Sequence, residues 1–193
     1  MRARAHRVEE PLRVLFVCTA NISRSPYAER RAALMEAGPP EAGLRFASAG
    51  VPGHPGKGMD RAMAAELVSR GGEGNGHVSR SLSAAILEAA DVVITVEFAQ
   101  RLRIAESWPE HVAKVFGLHQ LADAMERSHT VGGGLEALDG ALAIARPDSL
   151  AWDVADPYKR GKAAARACAD DIDEALAVIV PALVGAPVRA GAL

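Results

Sequence analysis

A short apolar run, LRVLFV at positions 12–17, leads into CTANISRSP at 18–26, and a helix-forming stretch, YAERRAALMEAG, follows at 27–38. Apolar and β-branched residues in a run this short suit a buried strand. Pro26 suits the first turn of a helix, where its missing N–H leaves nothing unpaired. The unit is therefore strand, loop, helix. A thiol, Cys18, stands where the strand ends, and an arginine, Arg24, stands where the helix begins, with no large ring between them.

The same alternation continues along the chain. Leu44 to Ser48 is expected as a second strand, and Asp60 to Arg70 as a helix capped by Asp60 and stopped by Gly71 and Gly72. Ser83 is placed to cap a helix through Ala90, and Asp91 to Val96 is nearly all apolar, as a strand covered on both faces should be. A helix from Glu97 to Ser107, a weaker fourth strand over His111 to Phe116 and a long closing helix from Arg160 to Val184 complete the pattern. Strands separated by helices predict an α/β fold with a doubly wound, four-stranded parallel sheet flanked by helices.

With 193 residues, 49% of them hydrophobic, the chain can build one ordinary core, so a single domain is expected over 12–187 between tails at 1–11 and 188–193. The segment 118–151 departs from the alternation. Two helix-like pieces, Leu118 to Arg127 and Leu135 to Ala145, flank the sequence TVGGG and read as an inserted excursion. The glycine-rich GVPGHPGKGMD at 50–60 has neither the strand-to-helix setting of a dinucleotide loop nor the GxxxxGK[ST] spacing, and reads as a surface loop.

Lysine and arginine total 22 against 24 acidic residues, so no basic excess points to nucleic acid or to an anionic membrane surface. The apolar runs are too short to span a bilayer, and Met1 to Pro11 has no apolar signal core, so a cytoplasmic protein without a membrane partner is expected. Only Cys18 and Cys168 are present, which excludes a disulfide framework. Cys168 shares helical spacing with Ile172, Ala175, Leu176 and Ile179 and is expected in the core. His111, His119 and His129 show no HxxxH spacing, so neither a metal nor a cofactor is expected.

In open α/β sheets ligands bind at the carboxyl ends of strands, and a helix N-terminus there offers unpaired N–H groups and a partial positive charge. An anion belongs at such a place. The amides of Thr19, Ala20, Asn21, Ile22, Ser23 and Arg24 can wrap into a cradle of phosphate size, and the planar guanidinium of Arg24 can hold two phosphate oxygens. Helix N-termini and neighbouring cations also favour the thiolate form of cysteine, so Cys18 is expected to be a standing nucleophile, with Ser25 donating a hydrogen bond to it.

The CX5RS spacing at 18–25 followed by Pro26 and a helix resembles the low-molecular-weight protein tyrosine phosphatase family, and the likeness extends over roughly 12–184 apart from the excursion. That resemblance implies a protein phosphotyrosine substrate, inorganic phosphate as product and a cysteinyl-phosphate intermediate. The DPY sequence at Asp156, Pro157 and Tyr158 matches the family's late aspartate, which implies that Asp156 is the general acid and later the base. By the same resemblance Asn21, Ser48 and His77 support the loop, with Asn21 in a left-handed bend, while Ile22, His54 and Tyr158 line an aromatic slot.

Five positions depart from the family pattern. Ser23 stands where relatives usually carry a second, protective cysteine, and Ala20 stands where they have glycine. Lys159 takes the place of a second aromatic residue. The pair Val96-Glu97 replaces a methionine-containing strand end, with no chemical effect expected. Three other activities compete: arsenate reductase, which would need more thiols than Cys168 provides; a binding module without turnover, which would need neither Cys18 nor Asp156; and phosphoarginine phosphatase, in which threonine tends to hold the place of Ile22.

Overall fold

The structure, a computed structural model, describes residues 11–36, 43–128, 132–146 and 152–185. Strand β1 (Leu12–Cys18) lies between β2 (Leu44–Gly50) and β3 (Val92–Thr95), and β4 (Val115–Gly117) pairs with β3. All pairings are parallel, with Leu15 opposite Ala47 and Val93, and Ile94 opposite Phe116. Because side chains alternate along a strand, Val14, Phe16 and Cys18 enter one core while Leu15 and Val17 enter another.

Helices cover both faces, as the apolar run at β3 predicts. The first core receives Tyr27, Ala28 and Ala32 from α1 (Arg24–Met35) and Met63 and Leu67 from α2 (Arg61–Ser69). The second is closed by Leu87 from α3 (Ala84–Ala89) and Ile104 from α4 (Phe98–Ser107). The expected caps are present: Asp60 accepts from the amides of Ala62 and Met63, and Ser83 accepts from that of Ile86.

Beyond β4, α5 (Leu118–Arg127) begins at once, and α6 (Gly134–Ile144) follows after 132–133. Both pack on the closing helix α7 (Gly161–Val184). The segment expected as an excursion thus places Leu118, Leu121, Ala124 and Met125 in the first core. On α7, Cys168, Ile172, Ala175, Leu176 and Ile179 are buried together, as their spacing predicts. Each large aliphatic side chain removed from water in this way stabilises the fold by about 1.5–3 kcal/mol.

One expected element takes a different form. In place of a strand over His111 to Phe116 there is a 3-10 turn, Pro109–Lys114, followed by only three strand residues. Proline at the turn's start and the His111 amide bonded to the Trp108 carbonyl fix the turn, and the Lys114 ammonium donates to the carbonyls of Leu87 and Ala90, both at 2.7 Å. Residues 1–10 of the expected N-terminal tail, the whole expected tail 188–193, residues 186–187 of the expected domain and His129 lie outside the described residues. Among the described residues no helix is long and apolar enough to cross a membrane.

Polar links fasten α7 to its neighbours. The buried Tyr27 hydroxyl donates to Asp173 at 2.9 Å, and Arg31 and Arg70 approach the same carboxylate at 3.0 and 3.2 Å. His119 on α5 donates to Asp171 on α7 at 3.0 Å, and that hydrogen bond holds its imidazole above the usual value against the opposing effect of burial. A raised folded value gives stability that is complete below the unfolded pKa of about 6.5 and is lost as pH rises through the folded one. The variant His119→Gln is therefore expected to lower the thermal midpoint at about pH 5.5 and to show a smaller deficit at about pH 9. Equal deficits at both pH values would contradict the pairing.

Candidate active site

β1 connects onward to β2 on one side of the sheet, whereas β3 leads to β4 on the other, so a crevice opens at the carboxyl ends of β1 and β3. Cys18 ends β1 there. Val96 and Glu97 stand beside it, with the Val96 amide bonded to the Val17 carbonyl at 3.2 Å.

The loop from Cys18 to Ser23 turns its carbonyls away from this crevice. Those of Cys18, Thr19 and Ala20 accept from the amides of Val51, Gly53 and His54, those of Ile22 and Ser23 from the amides of Asp60 and Tyr27, and that of Asn21 meets the ring of His77 at 2.7 Å. With its acceptors bonded outward, the face of the loop toward the crevice is a donor face. The glycine-rich 50–60 segment is thus more than a surface loop, since its backbone holds the cradle. Gly50 is required there: a Cβ would come within 2.9 Å of the backbone of Ala20 and Asn21.

Sulfur occupies the floor. The Cys18 Sγ accepts from the Asn21 amide at 3.2 Å and from the Ser25 hydroxyl at 3.0 Å. Asn21 has φ +58°, the left-handed bend expected of it. Its Nδ2 donates to Ser25 at 3.0 Å and to Ser48 at 2.8 Å, and its Oδ1 accepts from the Arg80 amide at 2.9 Å. Ser48 in turn donates to Glu29 at 2.5 Å. Asn21, Ser48 and His77 are therefore brought together around the loop. Ala20 has no left-handed φ, so its Cβ meets no backbone strain at the position where relatives have glycine.

Arg24 is 2% exposed and divides its guanidinium in two. Nη1 is anchored, donating to Glu97 at 2.7 Å and to the Val154 carbonyl at 2.8 Å. Nη2 lies 3.5 Å from Asp156, and Nε has no partner although it is buried. A buried donor without a partner costs about 1–3 kcal/mol, so the Nε and Nη2 edge is open to an acceptor such as an oxyanion. Burial opposes the charge, but the Glu97 hydrogen bond and the fields of Glu97, Asp156 and Cys18 outweigh it and keep the guanidinium above its ordinary value.

These groups line a cavity of about 280 Å³ with Thr19, Ile22, Ser23, His54, Asp156 and Tyr158. Asp156 is half exposed and accepts from the Tyr158 amide at 3.2 Å. Of the residues expected at the site, Asn21, Ser25, Ser48 and His77 bond to one another or to the loop, and the others line this crevice. Cys168 does not: it is buried on α7, and burial pushes its thiol up to about 12. Among the described residues no group of three or more His, Cys, Asp and Glu side chains could hold a metal ion.

Glu97 is the feature that sequence reasoning missed. Far from lacking effect, its carboxylate anchors Arg24 and also accepts from Gln100 at 2.6 Å and Thr19 at 3.3 Å. A signal was available, since a central β3 beside β1 must bring its carboxyl end next to Cys18. Val154, whose amide also bonds the Val96 carbonyl at 2.9 Å, carried no comparable signal because only its backbone acts.

A thiol, a donor loop and a half-anchored arginine meet at the carboxyl ends of a parallel α/β sheet, an arrangement that can receive an oxyanion. The sequence model of the low molecular weight phosphotyrosine protein phosphatases matches residues 13–131. The low molecular weight protein-tyrosine-phosphatase Wzb of Salmonella typhi is 33% identical over 150 residues, covering 78% of this chain and 97% of that protein. The corresponding Ptp of Acinetobacter johnsonii is 31% identical over 105 residues, or 54% of this chain and 70% of that one. Among solved structures, the YwlE arginine phosphatase of Geobacillus stearothermophilus superposes with a TM-score of 0.69 at 25% identity, covering 88% of this chain and 91% of that chain. The chain belongs to the low molecular weight phosphotyrosine protein phosphatase family. It is accordingly a hydrolase.

Proposed function

We propose that the chain hydrolyses phosphotyrosine in proteins, with Cys18 as nucleophile, Arg24 as phosphate clamp and Asp156 as general acid and base. The observation that carries this reading is the unpartnered Nε of Arg24, buried at a cavity that also holds the Cys18 sulfur and the Asp156 carboxylate.

Phosphate oxygens take the loop amides and the Nε and Nη2 edge of Arg24, displacing Asp156 from its 3.5 Å contact. The Cys18 thiolate, hydrogen-bonded by Ser25 and the Asn21 amide, attacks phosphorus opposite the phenolic oxygen. As the S–P bond forms and the P–O bond breaks, protonated Asp156 gives its proton to the leaving phenol. The resulting carboxylate takes a proton from water, whose oxygen attacks phosphorus. The P–S bond breaks, and inorganic phosphate and the thiolate are released. Ile22, His54 and Tyr158 hold the ring, and Asn21, Ser48 and His77 keep the loop in shape.

A second reading, phosphoarginine hydrolysis, draws support from the likeness to the arginine phosphatase YwlE. The apolar Ile22 on the cavity wall favours an aryl ring over a guanidinium, which needs a polar partner there. Matched phosphotyrosine and phosphoarginine peptides decide between them. The expected result is a kcat/KM at least about tenfold higher for phosphotyrosine. A preference for phosphoarginine would overturn the first reading in favour of the second.

A further inference from the structure

The walls of the cavity carry a charge that the chemistry of the phosphate does not use. One wall is the segment 52–59, with Pro52, Gly53 and His54 facing the cavity; the other is 157–163, with Tyr158 facing it. Asp60 and Asp156 adjoin these segments, but neither segment itself contains an acidic residue, and together they present Lys57, Lys159, Arg160 and Lys162, all exposed. This stands against a chain whose net charge is −2.

None of these cations lines the cavity, so the phosphate is left to Arg24 and the loop amides. Among the described residues they enter no ion pair: those of Arg13, Arg31, Arg70, Arg127 and Arg146 all lie elsewhere. Their backbones are nevertheless well placed. The Lys57 amide and carbonyl both bond Ser79 at 2.8 Å, and the Ser79 hydroxyl bonds the His54 carbonyl, which fixes Lys57 relative to the slot. Across the opening, the Lys159 ammonium stands 5.3 Å from the centre of the Tyr158 ring, and the Arg160 amide bonds the Pro157 carbonyl at 3.0 Å. Lys159 holds this place with φ +60°, a conformation uncommon for a side chain of its kind.

We propose that this rim selects phosphotyrosines flanked by acidic residues: the aryl phosphate enters the cavity while carboxylates of the same substrate chain meet Lys57 on one side and Lys159, Arg160 and Lys162 on the other. The inference rests on the phosphotyrosine reading above and adds the sequence context that the enzyme favours. Exposed charges of this kind act within a Debye length of about 8 Å at physiological salt, and they change association rate and salt dependence more than the chemical step.

The test uses three phosphotyrosine peptides of equal length, with Asp and Glu, with Asn and Gln, or with Lys flanking the phosphotyrosine. In wild type, kcat/KM for the acidic peptide is expected to exceed that for the neutral one by about tenfold at low ionic strength, and by less than about twofold near 1 M salt, where screening acts within roughly 3 Å. The double variant Lys159→Glu/Arg160→Glu is expected to reverse the order, with the Lys-flanked peptide becoming the best. Lys57→Glu on the opposite wall provides an independent arm and is expected to cut the acidic preference by about threefold. Equal rates for acidic and neutral peptides in wild type would overturn the proposal, as would a preference that both variants retain. Turnover of phosphoarginine with none of the three phosphotyrosine peptides would overturn the phosphotyrosine reading and this inference with it. Phosphotyrosine turnover without discrimination would overturn the rim alone.

Discussion

The variant Cys18→Ser is expected to retain less than about one percent of wild-type turnover, because a serine hydroxyl stays protonated where a thiol can give up its proton. The fold should survive. The Asn21 amide and the Ser25 hydroxyl that meet the sulfur at 3.2 and 3.0 Å can equally meet an oxygen, and the change removes little volume at the end of β1. Circular dichroism and retained binding of inorganic phosphate would establish that the cradle is intact. Turnover well above that level in a folded variant would mean that another group attacks phosphorus. Cys168 is a poor candidate, since burial on α7 holds its thiol protonated.

Asp156→Asn is expected to slow phosphotyrosine hydrolysis by about 10² to 10⁴, the usual worth of a positioned general acid. The size of the loss should depend on the leaving group. A phenol that is already acidic needs no proton to depart, so for such an aryl phosphate the formation of the cysteinyl phosphate should be nearly spared. Asparagine keeps the amide contact from Tyr158 and removes only the proton chemistry and the charge beside Arg24. Single-turnover measurement of the first step with both substrates checks this. The same loss factor for both would remove Asp156 from the role of acid.

The parts of the molecule readable from sequence are those in which local chemistry and global fold agree. The strand before Cys18, the Asp60 and Ser83 caps and the buried face of α7 each follow from residues near one another in sequence, and each is present. The left-handed bend at Asn21, implied by the family resemblance, is present, and asparagine adopts it more readily than most side chains. The misread strand at His111 to Phe116 lost to Pro109 and to the Lys114 ammonium, whose carbonyl partners, Leu87 on α3 and Ala90 just beyond it, lie far away in sequence.

Glu97 escaped notice for a related reason. A glutamate beginning a helix is ordinary on its own, and it becomes the anchor of Arg24 only once β3 lies beside β1. The backbone service of 50–60 was hidden by composition, since glycine and proline announce a loop but not what its amides hold.

The central claim is that phosphate passes through a covalent bond to Cys18, and trapping that intermediate tests it most directly. Asp156→Asn, mixed rapidly with an aryl phosphate bearing an acidic phenol, should form the phosphoenzyme quickly and hydrolyse it slowly, since in the proposed mechanism the same carboxylate activates the water. Quenching in denaturant followed by peptide mass spectrometry is expected to find one phosphoryl group, on the peptide containing Cys18, with an amplitude approaching the enzyme concentration. Phenol release in excess of enzyme with no phosphoryl group on that peptide, or with the group on another residue, would contradict the account.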